Sequence, residues 1–272
     1  MFFEGRRELE HARGAAEALE VQQPFTASLL HALGYPVKRE VVQSAERSIP
    51  VLCALWRGNG APLLWAIEAA AVNGEAGDGG EANPLDLTLL PEQYPEDIPG
   101  DMRALDATLE ELLDAEIFRM DEPPRWVLLL SHGMAVLVDR GKWREKRLLA
   151  FDLRDILDRR ESSTLRAVAA LLHRDSVAPA EGGALLDTLD DRSHRHAYAV
   201  SEDLKYSMRE AVELLGNEAV RHLLEVRKEK VYGVLDAAEL SRECLRYVYR
   251  LLFLFYIESR PELGYAPMNL SL

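Results

Sequence analysis

The hydrophobic period of this chain changes after Gly34 and for the last time near Ile156, and that last change limits the folds open to it most. Between the two, outside one helical stretch, apolar and β-branched residues come in short runs around turn signals, as in strands. After Ile156 they recur every three or four residues, as in helices. The run SIPVLCALWRGNGAPLLWAIEAA predicts two strands, residues 49–56 and 62–69, around a Gly-Asn-Gly turn. RWVLLLSHGMAVLVDR predicts a second hairpin, with strands at 126–130 and 134–139 and a turn at Ser131, His132 and Gly133. KRLLAFDL, residues 146–153, adds one more strand. Helices are expected over residues 7–21 and 24–33. Another is expected from an Asp101 cap through Met102, Leu105, Leu109, Leu112 and Leu113, until Pro123 and Pro124 stop it. The fold class expected is α/β of the α+β kind. Residues 1–158 would form a small mixed sheet of nuclease-like topology with flanking helices, and residues 159–272 an α-helical module.

In the helical half, Leu165, Val168, Leu171 and Leu172 mark one helix. Residues 175–200 read as a polar connection. Ser201 then caps a helix carrying Leu204, Met208, Val212 and Leu215, which ends near Gly216, and Asn217 caps the next. Asp236 followed by Glu239 resembles a capping box and opens the last helix. That helix, CLRYVYRLLFLFYIESRPELGY, contains seven consecutive apolar or aromatic residues, 251–257. A membrane span needs roughly 20 such residues with few charges, and Arg246, Arg250, Glu258 and Arg260 interrupt this one. A helix apolar all round is better explained by burial against protein. Tyr249, Leu252, Phe253 and Tyr256 are the expected interface, with no membrane partner.

Of the 272 residues 48% are hydrophobic, and the net charge is -14. An acidic surface opposes nonspecific nucleic-acid binding, although a local basic patch can coexist with it. Cys53 and Cys244 are too few and too far apart for a zinc cluster, which fits a reducing, cytoplasmic location. MFFEGRRELEHARG lacks the apolar stretch of a signal peptide. Residues 73–100, rich in Gly, Pro, Asp and Glu, read as a surface loop.

Chemistry has few candidate positions. Metal-dependent nucleases place an Asp on one strand and Glu-x-Lys on the next, the carboxylates holding Mg²⁺ and the Lys orienting water or phosphate. Glu68 stands where the Glu belongs, but Ala70 replaces the Lys and VLCALW offers no Asp. Glu68 is therefore a degenerate nuclease position, or a strand-end surface carboxylate; Asp86 or Glu40 are alternative second carboxylates. In DRGKWREKR, the cations Lys142, Arg144, Lys146 and Arg147 surround Trp143 and could meet phosphates while the indole stacks. The competing reading is a solvated turn whose Trp anchors on the core, since Asp139 and Glu145 dilute the charge. His194-Arg195-His196 lacks ligands at metal spacing. Ser131-His132-Gly133 is no nucleophile elbow. Gly77 to Gly80, GDGG, lies in the acidic loop with no helix after it to receive phosphate. No metal site is expected.

Three stretches together resemble a family. They are RWVLLLSHGMAVLVDRGKWREKRLLAFDLRDIL, SEDLKYSMREAVELLGNEAVRHL and the last helix, whose YRLLFLFYIESRPELGY is the most specific part. All are similar to the N-terminal region of large class I DNA adenine methyltransferases of type IIG-like restriction–modification systems and DISARM- or BREX-like phage-defence loci. GAPLLWAIEAA fits the strand that carries the nuclease motif in competent relatives. The resemblance spans residues 45–268. It implies a nuclease-like module preceding a catalytic domain that binds S-adenosylmethionine and methylates a flipped adenine. It implies S-adenosylmethionine and possibly Mg²⁺ for the full-length enzyme, and DNA and a methylase domain or partner subunit as partners. No Asn-Pro-Pro-aromatic motif occurs; Asn83-Pro84 is followed by Leu85 and Asp86. The chain is thus expected to be a non-catalytic, DNA-positioning and docking module, truncated, split or expressed alone. An active Mg²⁺-dependent nuclease and a pure protein-interaction scaffold are the alternatives.

Overall fold

The computed structural model describes residues 2–44, 46–70, 83–228, 230–231 and 235–260. The Gly77–Gly80 stretch and the PELGY end of the last signature lie outside them.

The fold is α+β. Two helices, α1 (Phe2–Leu9) and α2 (Ala15–Ala32), lead into a two-stranded antiparallel sheet of β1 (Glu40–Gln43) and β2 (Ser48–Val51). A five-stranded sheet follows, in the order β3 (Cys53–Trp56), β4 (Pro62–Glu68), β5 (Trp126–Leu130), β6 (Met134–Asp139) and β7 (Leu148–Asp152). All its neighbours are antiparallel except β4 and β5, which run parallel. The sheet is mixed because one crossover, residues 69–125, joins two local hairpins. Gly60 supplies the left-handed turn of the first (φ 84°), where its N–H donates to the Arg57 carbonyl at 2.8 Å.

Both faces of the sheet are covered, so the central strands are apolar throughout rather than alternating. Leu64 and Ala66 share one core with Phe25 and Leu30 of α2. Trp65 and Ile67 share the other with Leu109, Leu112 and Leu113. That second core rests on α3 (Leu109–Leu112), capped by the Thr108 hydroxyl on the Glu111 N–H, which widens into one π-helical turn, Leu113–Ile117. A buried side chain of this size contributes about 1.5–3 kcal/mol. Further on come α4 (Arg140–Trp143), α5 (Leu153–Arg159), α6 (Ser162–Leu172), α7 (Arg174–Val177), α8 (Leu185–Glu225) and α9 (Ala237–Glu258).

Two compact units result, residues 1–188 and residues 189–272. Leu172, Val177 and Ala184 belong to the sheet's core. Tyr35 ties α6 to it by donating its hydroxyl to the Leu172 carbonyl at 2.9 Å.

Several local expectations are corrected. The helix read over 7–21 breaks at residues 10–14. α2 then runs through Pro24 without interruption, because Leu19, Gln22, Phe25, Thr26 and Leu30 are all buried along it. The strand read over 49–56 divides at Leu52 between two sheets. Asp101 lies in a single 3₁₀ turn, Gly100–Met102, and the helix opens at Leu109. Residues 185–200, read as connection, belong to α8, as do Ser201, Gly216 and Asn217, which cap nothing. Asp236 caps α9, its Oδ1 accepting from the Ala238 N–H at 2.8 Å, but the box expected with Glu239 is replaced by this single bond among the described residues.

Candidate functional site

Glu68 ends β4 on the side of the sheet that faces α2. It is only 1% exposed, which corrects the reading of a surface carboxylate: the strand end is covered by α2. Its Oε1 accepts from the Thr26 hydroxyl at 2.5 Å and from Gln22 Nε2 at 3.2 Å, and Oε2 accepts from the Arg39 guanidinium at 3.3 Å. Gln22 also donates to the Ala69 carbonyl at 2.8 Å, and Gln93 Nε2 donates to the Glu68 carbonyl at 2.7 Å. Burial raises the Glu68 carboxyl above its ordinary value, while Thr26, Arg39 and Gln22 pull the other way. A small cavity of about 70 Å³ adjoins the cluster, lined by Arg39, Glu40, Glu68 and Gln93 among others.

The residues present fit a metal poorly. Among the described residues no three His, Cys, Asp or Glu side chains come together. Glu40 shares the cavity, but its Oε2 takes the Lys38 ammonium at 2.6 Å. Asp86, on the 3₁₀ turn Pro84–Asp86, does not line that cavity. Both oxygens of Glu68 are already engaged, one of them by a guanidinium that supplies positive charge from within the chain. What the arrangement does chemically is hold a carboxylate in a nearly dry place and tie β4 to α2 and to the segment before β1.

Arg39, Gln22, Thr26 and Gln93 went unread in the sequence. One signal could have found two of them. Gln22 and Thr26 are polar at i, i+4 on a helix face that otherwise carries Leu19, Phe25 and Leu30.

The basic segment resolves into separate roles. Trp143 is 5% exposed, its indole N–H donates to Asp114, and Phe118 packs edge-on at 6.1 Å between centroids. The indole is a core anchor and cannot stack on a base, which corrects its assignment to DNA binding. Lys146 lies over that ring at 5.0 Å and pairs with Glu110 at 2.7 Å; Arg147 pairs with Glu145 at 3.4 Å. Arg144 is exposed and Lys142 half-buried. His194 pairs with Asp190 at 3.6 Å along α8.

On α9, Cys244 and Val248 are buried, whereas Tyr249, Phe253 and Tyr256 are exposed, Phe253 to 62%, and Leu252 is half-buried. The seven apolar residues are therefore not enclosed by the described chain on every face. No helix among the described residues is long and apolar enough to cross a membrane. Comparison with known proteins gave no matching family model, no matching curated protein and no matching solved structure.

Proposed function

We propose that this chain is a non-catalytic N-terminal module of a DNA adenine methyltransferase of restriction–modification or phage-defence type, acting in the cytoplasm. It positions DNA and docks the methylase domain. The observation that carries this reading is the closed state of Glu68. A carboxylate that accepts from Thr26, Gln22 and Arg39 has both oxygens engaged, one of them by a guanidinium that supplies the positive charge a metal would, so in this reading the nuclease position serves structure. The exposed Tyr249, Phe253 and Tyr256 supply the docking side, and Lys142, Arg144, Lys146 and Arg147 what remains of a phosphate-facing patch. S-adenosylmethionine belongs to the methylase domain in this scheme.

Duplex DNA incubated with the purified chain, Mg²⁺ or Mn²⁺ and labelled S-adenosylmethionine is expected to be neither cut nor methylated. Adding a methylase domain that lacks this region is expected to give methyl transfer, which Phe253→Asp weakens. Methyl transfer or cleavage by the chain alone would refute the reading.

One observation favours a second reading, an active nuclease: Glu40 and Glu68 line the same cavity. It requires Arg39 to swing away and predicts Mg²⁺-dependent cleavage that Glu68→Gln abolishes.

A further inference from the structure

A separate cleft of about 670 Å³ opens on the first unit, and five consecutive residues, 40–44, form one wall. Successive side chains of a strand alternate between faces, so a lining of five residues in a row fits a cleft that follows the strand's edge. β1 is such an edge, since among the described residues its sheet has two strands and β2 occupies the other side.

Register determines which backbone groups face the cleft. The Ser44 N–H donates to the Arg47 carbonyl at 2.8 Å, continuing the ladder one pair beyond Gln43 and Ser48. Bonded and non-bonded pairs alternate in an antiparallel ladder. Val42 with Ile49 and Glu40 with Val51 are therefore bonded pairs, while Val41 with Pro50 and Gln43 with Ser48 are not. Pro50 agrees with this assignment, because it has no N–H to contribute. The N–H and C=O of Val41 and Gln43 consequently point away from β2, toward the cleft.

Two tryptophans line the cleft with them. Trp56 is half exposed, and Trp65 is buried with an indole N–H that has no partner among the described residues. The charged lining comprises Glu40, Asp121 and Glu122 against Arg119 alone. Glu40 is paired with Lys38, so the charge the lining leaves is Asp121 and Glu122 against Arg119, a small negative excess that disfavours an anionic strand such as nucleic acid and suits a cation.

We propose that this cleft binds an extended, basic peptide segment, which adds to the edge of β1 as a third strand. Its backbone bonds to Val41 and Gln43, the aliphatic stem of a lysine or arginine lies on Trp56, and its charge meets Asp121 and Glu122. The inference is independent of the methyltransferase reading.

The probe is a labelled, acetylated hexapeptide of alternating lysine and valine, titrated with the full chain at low salt and followed by fluorescence anisotropy. A glutamate–valine hexapeptide is the control. Saturable binding at least about tenfold tighter than the control is expected, weakening with salt. Val41→Pro removes the outward N–H and no ladder bond, so a loss of about tenfold with an unchanged circular dichroism spectrum supports strand addition. Should that variant fail to fold, the double variant Asp121→Lys and Glu122→Lys, on exposed residues, decides by inverting the preference between the two peptides. The proposal is overturned if the lysine peptide does not bind at millimolar concentration, if both peptides bind alike, or if a polythymidine oligonucleotide binds in place of the peptide.

Discussion

Lowering the pH from 7.5 to 5 should destabilise the first unit by an amount traceable to one side chain, His132. The imidazole sits in the β5–β6 turn, 7% exposed, stacked on Phe2 at 4.7 Å between centroids and 6° between planes, with Phe25 at 5.2 Å. Its Nε2 has no hydrogen-bond partner among the described residues. Burial, joined by the nearby Arg6 charge, lowers its pKa from 6.5 to about 4, against a backbone hydrogen bond at Phe2 that favours the proton. A depressed folded-state pKa contributes stability that is present above the unfolded value and lost as pH falls through the folded one. The window is therefore pH 6.5 down to about 4. The whole gap corresponds to roughly 3 kcal/mol, of which about 2 kcal/mol is lost by pH 5. Urea unfolding of the intact chain at pH 7.5 and pH 5 measures the total, in which other carboxyls also take part. His132→Leu, of similar volume, isolates the share of His132, because the remaining groups titrate alike in both proteins. The loss between the two pH values should shrink by about 2 kcal/mol in the variant. Equal pH dependence in the two proteins would refute the reasoning.

Three further outcomes follow from the packing. Glu68→Ala removes the acceptor shared by Thr26, Gln22 and Arg39, leaving Thr26 the Gln23 carbonyl at 3.1 Å and Gln22 the Ala69 carbonyl at 2.8 Å, and should cost about 1–3 kcal/mol in urea unfolding at pH 7, Arg39 being partly solvated; a cost under about 0.5 kcal/mol would show that these acceptors and water replace it. Trp143→Ala empties a core position and should cost about 3–5 kcal/mol, whereas Arg144→Ala should leave the thermal midpoint unchanged. Tyr35→Phe, measured by denaturant midpoint, should cost about 1 kcal/mol through the lost bond to the Leu172 carbonyl.

Legibility in the sequence followed the range of the interactions. The hairpin at 126–130 and 134–139 was read to the residue, because its turn and its apolar runs are all local. The Asp236 cap was read for the same reason. Gly14 was not read as the start of α2, nor Pro24 as interior to it. A helix that buries one long face tolerates a residue whose local propensity argues for a break. The division of residues 49–56 at Leu52 was hidden as well, since both pieces are equally apolar and only their partners differ. At the candidate site the place of Glu68 at a strand end was legible, but its burial was not. Its partners come from residues 22, 26, 39 and 93, and no local pattern announces a cluster gathered from four segments. Trp143 was read two ways, and the decisive neighbour, Asp114, lies 29 positions earlier in the chain.

The one parallel pairing in the sheet bears on how the molecule assembles. β3–β4 and β5–β6 each close across a short turn, whereas β4 and β5 meet only after residues 69–125 have been looped out. Closing a long loop is slow relative to forming a hairpin, because its entropic cost precedes any reward from contacts. The expected order is two early ribbons that dock late, with Ala66 against Leu128 at the seam. During that interval the apolar edges of both ribbons stand open to other chains. The concentration at which this protein refolds cleanly should therefore depend more on the speed of that single docking event than on the stability of the finished sheet.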